Sequence, residues 1–170
     1  MTIKPDMYLE RLGTLRRHIE HVQESAYLMG ERLFKTDNDA DRFLAHELIT
    51  NVQSHDQSKF RGIEWEYLHD DVKETDNDRF LLAWEQHVKT NPHHPEYWAG
   101  IENMPDVYIA EFVCDTFSRS SEFGTDYSDW LDNVATKKYN FTKRSVVWKK
   151  IKKFKDILLN KPSFDKVSVV

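Results

Sequence analysis

Apolar side chains recur at three- and four-residue spacing along most of this sequence, and this repeat restricts the fold more than any other feature. Five glycines and five prolines in 170 residues leave few breaks in the repeat, and strand-like alternation is nearly absent. Such spacing places apolar residues on one face of a helix. The sequence therefore predicts an all-α protein. The clearest stripe consists of Tyr8, Leu12, Leu15, Ile19, Val22 and Ala26.

Capping and breaking residues divide the pattern into five main helices, predicted at about 8–34, 39–55, 75–90, 105–121 and 140–160. Pro92 ends the third helix, and Pro105 suits the start of the fourth because a first helical position needs no N–H donor. A short helix is expected near Pro95, and a loop with a turn around "FGTDYSDW". The predicted inward residues of the later helices are Leu44, Leu48 and Val52, then Phe80, Trp84 and Val88, and finally Val147, Ile151, Phe154 and Leu158.

The length and composition fit one domain, since 170 residues can bury a sufficient core and nothing marks a boundary. We expect a single domain over 1–160 and a tail over 161–170. No run approaches the roughly 18 apolar residues of a membrane span, and the first residues lack the apolar core of a signal peptide. Cys114 is the only cysteine, so no intramolecular disulfide can form. These observations predict a cytoplasmic protein without a membrane partner.

Charge is distributed unevenly along the chain. Residues 1–136 hold 13 Lys and Arg against 27 Asp and Glu, whereas residues 137–170 hold 11 against 2. A basic final helix could bind nucleic acid or another anionic partner. The alternative is an amphipathic helix that packs its apolar face on an acidic body and leaves its lysines in solvent. The sequence does not decide between these two interpretations, nor does it decide whether the protein forms a homodimer.

Histidines and two aspartates lie on or beside nearly every predicted helix. Neutral imidazole and carboxylate are the ligands that suit Mn, Fe, Co, Ni or Zn, and helical bundles hold metals between facing helices. The sequence therefore predicts a metal site. Its candidate ligands are His18 or His21 on the first helix, His55 with Asp56 at the end of the second, His87 near the end of the third, His93 and His94 in the following loop, and Asp115 on the fourth.

The segment "SHDQSKF" raises a geometric question. Adjacent residues on a regular helix point about 100° apart and cannot usually bind one ion, but at a helix end the backbone can bring His55 and Asp56 together. At about 100° per residue, His18 lies about 80° from the centre of the apolar stripe of the first helix and His21 lies about 140° from it. His18 is therefore the preferred ligand. Asp115 lies on an apolar helix and needs a partner such as a cation. The simpler alternative is a helix cap that faces water.

The order His18, then His55-Asp56, then Asp115 resembles the H…HD…D pattern of the HD-domain superfamily of metal-dependent phosphohydrolases. The segments "HDQSKF", "HVKTNPHHPEYW" and "EFVCD" more closely resemble an uncharacterised family of small bacteriophage and bacterial proteins. The resemblance implies an HD-like helical bundle with one or two divalent transition-metal ions. The first ion would bind the four residues of the pattern, and Asp56 would bridge to a second ion held by His87 with His93 or His94.

The resemblance also implies a chemistry, namely hydrolysis of a phosphate ester or anhydride by metal-activated water. The substrate would be a nucleotide or another small phosphorylated metabolite, in the host cytoplasm if a phage encodes the protein. Alternatives are a di-iron oxygenase of the HD type and a non-enzymatic helical protein that binds a partner through its basic last helix. The assigned roles are phosphate binding by Lys59 and Arg119, with Arg61 weaker, and stacking by Trp65, Tyr97 and Trp98. Glu64 and Glu96 would either accept a hydrogen bond that orients a ligand histidine or act as an acid or base.

Overall fold

The computed structural model describes residues 5–159, and this part of the chain is all-helical without strands, as predicted. None of its helices combines the length and apolarity needed to cross a membrane. The predicted tail lies outside the described residues. The α-helices are α1 (Pro5–Phe34), α2 (Asp39–Asn51), α3 (Gly62–Tyr67), α4 (Asp70–Thr75), α5 (Asn77–Thr90), α6 (Asp106–Glu122), α7 (Tyr127–Trp130), α8 (Thr136–Lys138) and α9 (Val146–Leu159).

Helix α1 is the central element, because it packs against α2, α6 and α9. Its apolar stripe is buried from Leu15 onward, whereas Tyr8 is 39% exposed. Gly30 permits the close approach of α1 and α2, since a Cβ atom there would lie 2.8 Å from Ile49 Cδ1. The shared core of these helices also contains Leu44, Leu48 and Val52, as predicted.

Helix α2 ends earlier than the sequence predicts. Asn38 begins it by accepting a hydrogen bond from the Ala40 N–H. The α-helix stops at Asn51 and continues as a 3₁₀ turn over Val52–Ser54, so His55 and Asp56 lie beyond the helix in an irregular segment. A second 3₁₀ turn, Gln57–Phe60, follows them.

Two helical regions were missed by the sequence prediction. Short helices α3 and α4 occupy residues that carried no clear apolar repeat, and they pack against α5. The loop and turn expected around "FGTDYSDW" are present only over residues 123–126. The second half of this segment is helical, because Asp126 caps a helix that runs through α7, a π-helical turn at Leu131–Ala135 and α8. Tyr127, Leu131 and Ala135 are buried at four-residue spacing, which anchors this segment to the core.

The basic helix α9 docks onto the body of the protein. Its four predicted inward residues, Val147, Ile151, Phe154 and Leu158, are all buried. Lysines on its flanks bind acids of other helices: Lys150 donates to Asp106 at 2.6 Å, and Lys153 donates to Asp41 at 2.5 Å. The helix begins at Val146 rather than near residue 140. Its positive charge therefore partly neutralises the acidic body, as the second interpretation of the sequence expects.

Candidate metal centre

The structure brings every preferred metal-ligand candidate into one buried cluster. The candidate ligands come from four places: α1, the segment after α2, the end of α5 with its following loop, and α6. The candidates form three overlapping groups, and within each group the potential ligand atoms all lie within 4.8 Å of one another. These groups are His18, His55 and Asp56; Asp56, His87, His93 and His94; and His55, His93 and Asp115.

The backbone at Asp56 explains how two adjacent side chains reach the same cluster. Asp56 adopts the left-handed conformation, with φ of 57°, directly after an extended His55. Aspartate tolerates this conformation better than most residues, although it still costs about 1–2 kcal/mol. The two side chains can converge because the chain leaves helical geometry at this point. Both are almost fully buried, at 2% and 1% exposure.

The Asp56 carboxylate lies between two sets of imidazoles. Its Oδ2 atom is 3.8 Å from His18 Nε2 and 3.7 Å from His55 Nε2. Its Oδ1 atom is 3.4 Å from His87 Nε2 and 3.5 Å from His93 Nε2. A carboxylate in this position can offer one oxygen atom to each of two ions.

Two further residues, Asp115 and His94, complete the cluster. Asp115 Oδ1 lies 3.1 Å from His18 Nε2, on the side of Asp56 Oδ2. His94 Nε2 lies 2.9 Å from His87 Nε2, on the side of Asp56 Oδ1. Both His93 and His94 therefore accompany His87, whereas the sequence left open which of them would.

Three buried polar atoms of the cluster lack a hydrogen-bond partner: His55 Nε2, Asp56 Oδ1 and His93 Nε2. Leaving such atoms unsatisfied costs about 1–3 kcal/mol each, and more for a charged group. Ligand atoms lie about 2.0–2.2 Å from a transition-metal ion, so atoms that share one ion lie within about 4.4 Å of each other. The cluster has approximately this spacing. Its residues therefore fit a divalent ion that would satisfy the unpaired atoms.

Buried carboxylates hold the outer nitrogen atoms of the histidines. The Nδ1–H of His55 donates to Glu111 Oε1 at 2.8 Å, and that of His87 donates to Glu64 Oε2 at 2.8 Å. On α1, the Nδ1–H of His18 donates to Glu122 Oε1 at 3.0 Å. Because Nδ1 carries the proton in each case, an Nε2 lone pair can face the cluster. This is the arrangement that orients histidines in metal sites.

Each of these carboxylates is itself fixed by another residue. Asn51 donates to the second oxygen of Glu111 at 2.7 Å, and Ser58 donates to Glu64 at 2.7 Å. Glu64 already accepts from three groups, on Ser58, His87 and Gln86, which favours an orienting role over an acid–base role. Glu111 was not a candidate in the sequence, because an acid within the apolar stretch of α6 gives no sign of its partner.

Burial and neighbouring charges shift the titration of the cluster. Burial alone would raise the pKa of Asp56, but the Lys59 ammonium and His55 hold it well below the ordinary aspartate value. Burial, together with repulsion from His93 and His87, holds the pKa of His94 well below its ordinary value. For His55, the carboxylates of Asp56 and Glu111 outweigh burial and raise the pKa. Asp56 thus stays charged and His94 stays neutral at neutral pH, which are the protonation states in which these two groups bind a metal.

The two proposed phosphate-binding cations lie at the cluster. Lys59 Nζ donates to Asp56 Oδ2 at 2.6 Å. Arg119 donates to Glu122 Oε2 at 3.0 Å, so a single carboxylate connects this guanidinium to His18. Both cations line two adjoining clefts of about 360 and 460 Å³. The smaller cleft also exposes His18, His94 and Asp115, which opens the cluster to a small molecule. Arg61, the weaker candidate, is exposed.

Comparison with protein families gives one match. Residues 7–158 match the profile described as "Family of unknown function (DUF5662)". The chain belongs to this family. The matched range contains every residue of the metal cluster. No match was found among curated proteins or among solved structures.

Several residues of this DUF5662 protein lie away from the cluster, although the sequence placed them at the site. His21 is 48% exposed at its side chain and contacts Glu122 rather than the cluster. Glu96 is exposed, and Glu64, Glu111 and Glu122 act instead as the acceptors for the histidines. The difference arises because Glu96 points outward from a 3₁₀ turn over Pro95–Trp98.

The three aromatic residues that the sequence assigned to stacking line neither cleft. Trp65 stacks on Tyr8 with ring centroids 6.1 Å apart, and Tyr97 is 45% exposed. Trp98 packs on the core and donates its indole N–H to the Pro92 carbonyl at 2.7 Å. The aromatic side chains that do line the smaller cleft are Trp84, Phe123, Trp130 and Tyr139.

Proposed function

We propose that this protein is a metal-dependent phosphohydrolase that acts on a nucleotide or another small phosphorylated metabolite. The observation that carries the proposal is the Asp56 carboxylate, which lies between two sets of imidazoles with unpaired buried atoms directed at the same space. The order of the ligands along the chain resembles that of the HD-domain superfamily.

In this proposal His18, His55, Asp56 and Asp115 hold one divalent ion, and Asp56 with His87, His93 and His94 holds a second. Such ions supply a Lewis acid and a water molecule of lowered pKa. Burial of the ligands keeps the site in a medium of low dielectric constant, where charged groups interact more strongly than in water.

The chain's own cations would bind the phosphate group. Lys59 is a flexible ammonium at the mouth of the cluster, and it can exchange its contact with Asp56 for a phosphate oxygen. Arg119 offers the planar guanidinium that binds two oxygen atoms of a phosphate. Glu122 accepts from both Arg119 and His18, so one carboxylate holds a proposed phosphate-binding cation and a proposed ligand.

The position of these two cations also favours phosphate chemistry over oxidation. The same ligands would suit the di-iron oxygenase alternative, because fold and ligand type do not fix the reaction. Lys59 and Arg119 line both clefts beside the candidate ligands, and such a pair of cations suits the anionic phosphate group of a substrate. The non-enzymatic alternative is disfavoured for a different reason, since the α9 lysines Lys150 and Lys153 already bind acids of the body.

The experiment that tests the proposal is a phosphate-release assay on protein purified without chelator and supplied in turn with Mn, Fe, Co, Ni and Zn. A panel of nucleotides and sugar phosphates serves as substrate. Asp56→Asn should abolish release, whereas Asp78→Asn on the exposed start of α5 serves as the matched control and should not. Turnover that survives in Asp56→Asn, or consumption of oxygen without phosphate release, would overturn the proposal.

A further inference from the structure

The smaller cleft is lined by two chemically different groups of side chains. The first group consists of ligands of the cluster and the two cations. The second group consists of the aromatic rings of Trp84, Trp130 and Tyr139, together with the ammonium group of Lys138. A molecule of the size of the cleft whose phosphate contacts the first group can therefore place the rest of its structure against the rings of the second.

Of these rings, that of Trp84 directly adjoins the metal cluster. The Trp84 ring centroid lies 5.7 Å from that of His94 and 6.0 Å from that of His87. Only a small linker, of the size of a sugar, would separate a phosphate at the cluster from a planar group at Trp84. The cleft volume of about 360 Å³ lies at the lower end of the range of about 300–1,000 Å³ typical of small-molecule sites.

One flexible side chain lies between two of the rings. Lys138 Nζ is 5.8 Å from the centroid of Trp84 and 4.9 Å from the centroid of Tyr139. Lys138 is exposed, and it contacts no carboxylate within residues 5–159. It can swing away from the rings, leave their faces to a flat ligand and donate to an acceptor on the ligand's edge.

The polar atoms of the rings are also available to a ligand. Within the described part of the chain, neither the indole N–H of Trp84 or Trp130 nor the phenol of Tyr139 forms a hydrogen bond, and none is buried without a partner. Trp98 differs, because its N–H is bound to a carbonyl of the protein. Aromatic rings with free polar atoms suit a heterocycle that carries both a π-face and edge acceptors.

We infer that Trp84, Trp130 and Tyr139 form the recognition site for the base of a mononucleotide, whose phosphate reaches Lys59 and Arg119. The inference rests on the proposed function and specifies its substrate class. A sugar phosphate would leave the rings without a partner, and an oligonucleotide would exceed the small cleft.

The first test compares ligands on the wild-type full chain, kept metal-free so that no turnover occurs. The probes are the common nucleoside and deoxynucleoside 5′-monophosphates, with ribose 5-phosphate as the ligand that lacks a base. Tryptophan fluorescence and calorimetry report binding. The best nucleotide should quench the fluorescence and bind about five- to a hundredfold more tightly than ribose 5-phosphate, because stacking on an aromatic side chain contributes by about this factor. Equal affinity for the two kinds of ligand would overturn the inference.

The second test uses Trp84→Leu and Tyr139→Leu, with Trp65→Leu as the matched control because Trp65 lines neither cleft. Each cleft variant should weaken nucleotide binding about five- to a hundredfold and leave ribose 5-phosphate binding and metal content unchanged. An equal loss in the control would overturn the inference. Failure of the proposed function gives a different result, in which nucleotides bind the rings but no metal-loaded protein releases phosphate.

Discussion

Glu111 Oε1 lies 2.8 Å from Nδ1 of His55, and both side chains are buried. The contact fixes the ring orientation and the tautomer that a metal ligand needs. The same oxygen atom lies 3.5 Å from His93 Nδ1, so one carboxylate supports histidines from two separate loops.

Replacing Glu111 with Gln should therefore weaken metal binding about 10- to 100-fold, the usual effect of losing an outer-shell acceptor. Glu24→Gln, an exposed position on α1, is the control and should leave affinity unchanged. Competition titration with a chromogenic chelator measures both. An unchanged affinity in the Glu111 variant would show that the histidines are ordered without it.

The two-sided position of Asp56 predicts a distinct metal content for each variant. If Asp56 bridges two ions, Asp56→Ala should lose both, and His94→Ala should lose only the ion on the Oδ1 side. Elemental analysis of untagged protein gives the number of ions per chain. Retention of metal in Asp56→Ala would contradict the assignment of this residue as a shared ligand.

Removal of metal should destabilise the protein. A ligand that binds only the folded state adds about 2.7 kcal/mol to the free energy of unfolding at a hundred times its dissociation constant. Chemical denaturation with and without chelator measures the difference. The free energy of unfolding of Asp56→Ala should change with neither metal nor chelator. If the wild type and this variant respond equally, the stabilising ion binds elsewhere.

His94 should contribute stability to the metal-free protein that is lost as the pH falls below about 6.5, the ordinary histidine value. The pKa of His94 is lowered in the folded state, so between its folded and unfolded values the unfolded chain binds more protons, and the free energy of unfolding rises with pH. His55 acts in the opposite sense, because its raised pKa contributes stability that is lost as the pH rises.

The His94 contribution can be isolated by mutation. In His94→Gln the free energy of unfolding should fall less between about pH 7.5 and 5.5 than in the wild type, whereas the exposed control His46→Gln should behave like the wild type. Denaturant titrations across this range with chelator present provide the measurement. Equal pH slopes in the wild type and His94→Gln would argue against a neutral, buried His94.

Helix α9 should behave as part of the core rather than as a separate binding arm. Ile151 is fully buried, so Ile151→Ala should lower the free energy of unfolding by about 2–5 kcal/mol. Lys152→Ala on the exposed face should change it by about 0.5 kcal/mol or less. A small effect at Ile151 would indicate that α9 is loosely attached.

The sequence by itself determined the class of the fold and the residues that gather in the buried cluster. Regular apolar spacing gave the positions of α1, α2, α5, α6 and α9, because helical periodicity is a local property. The angle between residues on a helix was sufficient to prefer His18, now 1% exposed, over His21. Local geometry also predicted that His55 and Asp56 could converge only where the helix ends, which is where the chain turns left-handed.

Only the tertiary structure decided what surrounds those ligands. Glu111 and Glu122 became hydrogen-bond acceptors because α6 crosses close to His55 and His18, and a single sequence carries no record of that crossing. The aromatic lining of the smaller cleft likewise depends on the tertiary structure, which brings Trp84 of α5 and Tyr139, directly after α8, into one cleft. Nearness in sequence had favoured Trp65 instead. Helical periodicity fixes the face on which a side chain lies, whereas its neighbours depend on the angles at which distant helices meet.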